Sequence, residues 1–269
     1  MIKLVAIDLD DTLLNDDKEI TAENRQALQY AHERNVKVVI CTGRPYLAMK
    51  AIVEELGFTH ADDYIITFNG AQVRRAGTGE VVTENVLSKA DMLAWYEELN
   101  ALSLPLDVIG QRYLYLPTKY PEGYPSFYAE RLSSLETQVV DFHVFSPDQV
   151  INKMVVCTEP EHLDAQLAKI DPKFKAQYSI FKSRAFLLEI VAKGVSKGNT
   201  LRQLGEVLNI APEEMMTIGD QENDVSMIDL AGVGIAMGNA VPAAKQVSDY
   251  VTADNNSNGV AQAIYHFIK

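Results

Sequence analysis

Three carboxylates fall within four positions at the end of an apolar run near the start of the chain. The run 4–7 (LVAI) is followed by Asp8, Asp10 and Asp11. Like charges this close behind a buried strand are electrostatically costly unless a cation neutralises them. Carboxylate oxygens are hard ligands that suit Mg²⁺, which keeps waters or phosphate oxygens in its remaining positions. The pattern predicts a metal site, with a solvated acidic turn as the alternative.

A second acidic cluster follows another apolar run, MMTI at 215–218. A helical start after this run places Asp220 at the strand end and Asn223 and Asp224 one turn further along. Ligands of open α/β sheets bind beyond the carboxyl ends of the strands, so both clusters can face one crevice. A composite metal site is the functional interpretation. The alternative is a helix N-terminus whose acids complement the helix dipole.

Two elements between these clusters favour the binding of an anion. Thr42, Gly43 and Pro45 follow the second apolar run, where a hydroxyl group and the start of a helix can donate hydrogen bonds to phosphate oxygens. Lys197 lies at another predicted helix start, where the helix dipole disfavours a cation. This position indicates a role beyond helix stability. An ordinary surface lysine is the alternative.

The elements that carry these residues alternate between strand and helix. Apolar runs without polar alternation are typical of strands covered on both faces. Amphipathic stretches with helical spacing, at 21–34, 196–208 and 257–268, separate several of them. This order predicts an α/β fold with a doubly wound parallel sheet. The predicted strands lie at 3–8, 36–41, 63–68, 215–220, 232–237 and 249–252.

The pattern changes between about 84 and 188. Ser88 and Asp91 are spaced like a capping box at the start of a helix, and aromatic-rich strand patterns follow it. This stretch predicts a separate α+β module, inserted into the parallel-sheet domain through short connections. Its predicted strands lie at 112–116, 139–145, 153–158, 177–182 and 185–191, with a second helix at 160–170.

Composition limits the classes of partner. The chain has 269 residues, with 24 Lys plus Arg against 37 Asp plus Glu, and its formal charge of −13 argues against nucleic acid and anionic membrane surfaces. A small anionic substrate therefore needs a metal ion or a few well-placed cations. The first acid stands at position 8 and no run reaches the length of a membrane span, so we expect a soluble cytoplasmic protein. Cys41 and Cys157 are expected to be reduced core residues.

The motifs, taken together and in order, resemble those of the haloacid dehalogenase superfamily. The matching segments are DLDDTL at 8–13, Thr42, Lys197 and GDQENDVSM at 219–227. NGA at 69–71, GVSKG at 194–198 and GVGIAMGNA at 232–240 resemble the Cof-type branch of sugar-phosphate phosphatases. The resemblance implies a Rossmann-like core formed by 1–83 and 189–269, with an α+β cap domain inserted at 84–188.

The resemblance also implies a role for each matched residue. Asp8 is the expected nucleophile and Asp10 the expected general acid and base. The expected phosphate contacts come from Leu9, Thr42, Gly43, Lys197 and Asn223. The expected Mg²⁺ site comprises Asp8, Asp10, Asp220 and Asp224. One departure is Asp11, since many members of the branch have Gly at this position.

These roles predict a Mg²⁺-dependent phosphatase that hydrolyses small phosphate monoesters through an aspartyl-phosphate. Sugar phosphates are the expected class, a small phosphorylated metabolite is the expected partner, and a monomer is the default expectation. A phosphomutase on the same scaffold is one alternative. A non-catalytic, phosphate-responsive regulator is another, although receiver domains lack the second acid of the Asp8/Asp10 pair and the large insertion.

Overall fold

Strands and helices alternate along the chain of the computed structural model, which describes residues 1–58, 63–132 and 134–269. The strands are β1 Leu4–Asp8, β2 Lys37–Cys41, β3 Tyr64–Thr67, β4 Gln72–Arg75, β5 Val81–Glu84, β6 Asp107–Ile109, β7 Tyr113–Pro117, β8 Glu136–Val140, β9 Lys153–Cys157, β10 Tyr178–Arg184, β11 Leu187–Ala192, β12 Met215–Gly219, β13 Val233–Ala236 and β14 Tyr250–Val251. The helices are α1 Ala22–Glu33, α2 Lys50–Leu56, α3 Lys89–Ala101, α4 Pro160–Leu167, α5 Pro172–Gln177, α6 Lys197–Leu208, α7 Val225–Leu230, α8 Pro242–Val247 and α9 Gly259–Phe267.

The chain forms two compact units. The first comprises Met1–Arg44, Lys50–Glu84 and Ser196–Lys269, and the second comprises Pro45–Met49 and Asn85–Val195. The first unit therefore joins the two ends of the chain, and the second contains most of the stretch predicted as an insertion. The function of that stretch as a cap stays a prediction.

An eight-stranded sheet organises the first unit, in the order β14-β13-β12-β1-β2-β3-β4-β5. The strands from β14 to β3 are parallel, and the predicted α/β fold with a parallel sheet is confirmed. The strands β4 and β5, which extend the sheet beyond β3, were not predicted. They form an antiparallel hairpin whose turn includes Gly79 in the left-handed region, at φ 72°.

Burial on both faces explains the apolar character of the central strand. Leu4 and Ala6 of β1 belong to a buried cluster that includes Leu201 and Leu204 of α6. The alternate residues, which point to the opposite face, are also buried. Helix α1, capped by the Thr21 hydroxyl, packs against α9 and β2. Because β1 is covered on both sides, its carboxyl end is the part of the strand that can serve a ligand.

A six-stranded sheet organises the second unit, in the order β10-β11-β9-β6-β7-β8. Its pairs are antiparallel except for β7 with β8. The predicted capping box of Ser88 and Asp91 starts α3. Trp95 of this helix is fully buried and packs against the rings of Phe174 and Tyr178. This aromatic group gives the second unit a core of its own.

The strand predicted at 139–145 is wrong in its position. The structure has β8 at Glu136–Val140, followed by a 3₁₀ turn at Phe142–Val144. The physical reason is Asp141, whose carboxylate accepts a hydrogen bond from the backbone N–H of His143 at 2.9 Å. A side chain that satisfies the backbone locally in this way ends the strand.

The cysteines and the helices bear on the expectations drawn from composition. Both cysteines are free and buried. Among residues 1–58, 63–132 and 134–269, none of the helices combines the length and the apolar character that crossing a membrane requires.

Asp107 is a buried carboxylate of the second unit. The hydroxyl groups of Tyr120 and Ser126 donate hydrogen bonds to its two oxygens. Burial raises the pKa of Asp107 from 3.8 to about 6, against the opposing effect of the two hydrogen bonds. The segment that carries Tyr120 and Ser126 is thus fixed to β6 by a group that titrates in a mildly acidic range.

We predict that Asp107 makes the second unit less stable as the pH rises from about 4 to about 6. The raised pKa means that the folded state holds the proton more tightly than the unfolded chain does. The resulting stabilisation is present below the unfolded pKa and is lost as the pH rises through the folded pKa, a change of about 3 kcal/mol.

The test compares Asp107→Asn with the unchanged protein in urea unfolding at a series of pH values. Trp95, the single tryptophan of the chain, reports on the second unit. The difference in unfolding free energy between the two proteins should change by about 2 kcal/mol between pH 4 and pH 6, and by about 3 kcal/mol between pH values well below 4 and well above 6. Parallel pH profiles would contradict the prediction.

Candidate active site

Three neighbouring strands deliver polar residues to one edge of the large sheet. Asp8 is the last residue of β1 and pairs in register with Cys41, the last residue of β2, so Thr42 follows immediately beside it. On the other side, Ile7 pairs with Ile218 of β12, and Asp220 follows that strand. Parallel pairing therefore brings together side chains that are about two hundred positions apart in the sequence.

Lys197 lies at the centre of this edge. Its ammonium group binds Asp8 Oδ1 at 2.5 Å and Asp224 Oδ1 at 2.6 Å. The side chain is fully buried, which excludes an ordinary surface lysine. Leaving either carboxylate buried without this partner would cost several kcal/mol.

The start of α6 explains how Lys197 reaches this position. Ser196 caps the helix by accepting a hydrogen bond from the Asn199 N–H. At Gly198, a Cβ atom would lie 2.1 Å from the carbonyl oxygen of Ser226. Only glycine permits this close approach of α6 to α7, and the approach brings Lys197 beside Asp224.

Asp220 and Asp224 are held by a dense set of hydrogen bonds. The Thr12 hydroxyl donates to Asp220 Oδ1 at 2.7 Å. Asp224 Oδ2 accepts the backbone N–H groups of Asp220 and Gln221, each at 2.9 Å. These contacts fix both carboxylates in orientation, as a metal site requires of its ligands.

The carboxylates of Asp8, Asp220 and Asp224 form a group suited to a cation. One oxygen of each lies within 4.8 Å of the others, and all three residues are buried. Burial and the charge of Asp224 raise the pKa of Asp8, and the same two causes raise the pKa of Asp220 to about 7. Although burial alone would lower it, Asp224 and Asp8 raise the pKa of Lys197.

The charges of this group fit a divalent ion. With the acids ionised, three carboxylates face one ammonium group, which leaves two negative charges uncompensated. Hard oxygen donors and this charge fit Mg²⁺. Without a cation, the ionised carboxylates would repel one another, as the raised pKa values of Asp8 and Asp220 indicate.

Asp10 has a different environment from Asp8. The Arg44 guanidinium binds both of its oxygens, with Nε at 2.8 Å from Oδ2 and Nη2 at 2.7 Å from Oδ1. The Asp10 side chain is 27% exposed, whereas that of Asp8 is 8% exposed. Asp10 therefore stands apart from the carboxylate group, and its expected part as a metal ligand stays a prediction.

The turn between these acids explains the departure at Asp11. Residues Leu9–Leu13 form a short π-helical turn, in which Asp11 has φ 59° and ψ 13°. This left-handed region favours glycine, and aspartate is among the few other residues that enter it. The Gly expected from the resemblance and the Asp found here thus satisfy the same backbone requirement. Lys18 binds the Asp11 carboxylate at 2.9 Å.

The remaining predicted phosphate contacts lie around the end of β2. Thr42 is buried, and its hydroxyl accepts the Arg44 N–H at 3.1 Å, which orders the turn containing Gly43. Asn223 reaches the same turn through Asn69, whose side-chain oxygen accepts from Asn223 Nδ2 at 2.9 Å.

The structure brings the predicted residues of both clusters, together with Lys197, Thr42 and Gly43, into the first unit, whereas Pro45 belongs to the second. Sequence reasoning gave no role to Thr12, Arg44 or Asn69. The first stands in the DLDDTL motif and the last in the NGA triplet, so each lay within a segment already singled out. Nothing in the sequence indicated the pairing of Arg44 with Asp10.

Comparison with known proteins places these features in a family. A family model described as haloacid dehalogenase-like hydrolase matches residues 5–264. The Bacillus subtilis protein named "Putative phosphatase YxeH" is 36% identical over 268 residues, covering 100% of this chain and 99% of its own. The crystal structure of a haloacid dehalogenase-like hydrolase from Bacteroides thetaiotaomicron matches with a TM-score of 0.83 and 28% identity, over 100% of both chains.

A third similar protein is a sugar phosphatase of HAD subclass IIB, BT4131. Its structure matches with a TM-score of 0.79 and 25% identity, over 98% of each chain. The family model covers nearly the whole chain. The chain therefore belongs to the haloacid dehalogenase-like hydrolases, within their Cof-type branch.

Proposed function

We propose that this protein is a Mg²⁺-dependent phosphatase that hydrolyses small phosphate monoesters through an aspartyl-phosphate on Asp8. The observation that carries the proposal is the position of Lys197, whose ammonium group binds both Asp8 and Asp224 in a buried site. The positive charge of Lys197 lowers the electrostatic repulsion that arises when an anionic phosphoryl group approaches the anionic Asp8 nucleophile.

In the first step, an Asp8 oxygen attacks phosphorus and the bond from phosphorus to the leaving oxygen breaks. Asp10 protonates that oxygen. In the second step, Asp10 accepts a proton from water, the water oxygen attacks phosphorus, and the bond to Asp8 breaks. Phosphate is released and the Asp8 carboxylate is restored. A carboxylate nucleophile thus divides one difficult hydrolysis into two displacements.

Residues around Asp8 hold the phosphoryl group. Lys197 supplies a positive charge, Thr42 a hydroxyl group and Asn223 an amide, and the backbone N–H groups of Leu9 and Gly43 add further donors. Asp8, Asp220 and Asp224 would hold Mg²⁺, which would supply positive charge to offset the negative charge of the site. The burial of this site strengthens each electrostatic contact, since water screens it little.

We propose sugar phosphates as the substrate class because a similar protein is a named sugar phosphatase. Residues 84–188 are proposed as the cap that selects the leaving group. We also propose a cytoplasmic location, since small phosphorylated metabolites occur in the cytoplasm.

The first experiment measures release of inorganic phosphate from an aryl phosphate and a panel of sugar phosphates, with Mg²⁺ and with EDTA. We expect release with Mg²⁺ and loss of at least about 10²-fold on chelation. Conversion of a sugar phosphate into its isomer without phosphate release would indicate a phosphomutase and contradict the proposal.

Replacing the nucleophile should abolish turnover. Asp8→Asn is expected to lower kcat by on the order of 10³-fold or more, because an amide oxygen forms no stable acyl phosphate. The exposed Asp17 offers a matched control, and Asp17→Asn should retain full activity. Unchanged turnover by Asp8→Asn, with deamidation excluded by mass spectrometry, would refute the assignment.

Removing the central cation should be costly to catalysis. Lys197→Ala is expected to lower kcat/KM by about 10²-fold or more, since one preorganised charged donor is lost. The matched control is Lys193→Ala, which changes an exposed lysine four residues away. Rates are compared at a temperature where circular dichroism shows both variants folded. A change below about threefold would remove Lys197 from the mechanism.

Asp10 should contribute most to the rate of the first step when the substrate has a poor leaving group. Asp10→Asn is expected to slow the first step more with alkyl phosphates than with aryl phosphates, because a phenolate of low pKa leaves without much protonation. Rapid-quench measurement of the phosphoenzyme separates this step from hydrolysis. Equal slowing for both substrate types would argue against a general acid at this position.

A further inference from the structure

Asn69 is a fully buried side chain against the turn that follows β2. Its backbone N–H donates to the Thr42 carbonyl oxygen at 3.0 Å. A Cβ atom at Gly43 would come within 2.9 Å of Asn69 Oδ1. Its backbone has φ 59°, in the left-handed region where asparagine is one of the few tolerated residues. Both the conformation and the packing thus fix this amide beside residues proposed to hold phosphate.

The amides of Asn69 and Asn223 satisfy each other only in part. Asn223 Nδ2 donates to Asn69 Oδ1, while the other polar atoms, Asn69 Nδ2 and Asn223 Oδ1, are buried and have no hydrogen-bond partner in the described structure. A buried amide donor without an acceptor costs about 1–3 kcal/mol. An unsatisfied pair at the edge of a proposed site indicates a missing acceptor.

The pair leaves one N–H group open in both possible orientations of the two amides. As described, the open donor is Asn69 Nδ2. If both amides turn by 180°, Asn69 Nδ2 donates to Asn223 Oδ1 and the open donor becomes Asn223 Nδ2. In either case the two amides hold each other and one N–H group is offered to an acceptor. Phosphoryl oxygens are acceptors, and Thr42 and Gly43 lie alongside.

We propose that Asn69 and Asn223 act as a single unit of the phosphate site, in which each amide fixes the other and the open N–H group of the pair donates to a phosphoryl oxygen. This inference rests on the proposed function, because that function brings a phosphoryl group to this turn. Without Asn69, the pair loses the open N–H group in one amide orientation, and in the other orientation it loses the contact that fixes the rotation of the Asn223 amide.

The left-handed backbone decides which variant tests the proposal. Asn69→Gly removes the side chain and keeps a residue that adopts φ 59° freely, whereas alanine would add backbone strain. Asn209 provides a matched control, since it is exposed at the end of α6 with φ 55°. Asn209→Gly makes the same chemical change in the same backbone region, away from the site.

The experiment is a double-mutant cycle of Asn69→Gly and Asn223→Ala. It measures kcat/KM for an aryl phosphate and the binding of inorganic phosphate by titration calorimetry, both with Mg²⁺. We expect each single variant to lose about tenfold in both quantities, as for one hydrogen bond to a charged group. The double variant should be no worse than the poorer single variant within about threefold, because the second change removes a contact already lost.

Two results would overturn the inference. One is Asn69→Gly within about threefold of the unchanged protein in phosphate binding, with Asn209→Gly as the reference. The other is multiplication of the two losses in the double variant, which would mean that Asn69 acts independently of Asn223. Lowered thermal stability together with multiplied losses would identify a purely structural role.

The two readouts separate this inference from the proposed function. If the unchanged protein binds phosphate without hydrolysing esters, the proposed function fails, and the calorimetric cycle still decides the role of Asn69. If it neither binds phosphate nor hydrolyses esters, both are refuted.

Discussion

The buried contact of the Lys197 ammonium group with Asp8 and Asp224 is the interaction on which the rest of the site depends. Transferring these charges from water is costly, and their mutual attraction offsets the cost only with good geometry and further hydrogen bonds. The Asp220 and Gln221 N–H groups on Asp224 supply such bonds. The contact also joins residues 189 positions apart, so it can form only in the completed fold.

The sheet order makes this contact possible. Strand β1 lies between β12 and β2, so the two chain segments that follow its neighbours emerge on either side of Asp8. The described residues between β5 and α6, which are 85–132 and 134–196, contribute no strand to this sheet. The insertion therefore leaves the parallel strands and their shared edge uninterrupted. The second unit can therefore form a sheet of its own without interrupting the edge that carries the carboxylates.

Much of this arrangement is predictable from the sequence because parallel strands end at a common edge. The apolar runs indicated β1, β2 and β12, and the polar residues after them had to meet. The contacts of Arg44 with Asp10 and of Asn69 with Asn223 were not predictable, because they depend on side-chain rotation and on a left-handed backbone residue. The 3₁₀ turn after β8 was missed for a similar reason, since a single Asp141 hydrogen bond outweighs strand propensity.

Several locally unfavourable features lie together where strands of the first unit end, and their combination is an argument for function. Asp11, Phe68 and Asn69 adopt positive φ outside glycine, Lys197 stands at a helix start that disfavours a cation, and two buried amide groups lack partners. Each lowers stability on its own. The well-packed sheet and helices of the first unit provide the stability that tolerates them. Because a chain selected for folding alone would avoid such a combination at one edge, a bound anion and a bound cation are the simplest common explanation.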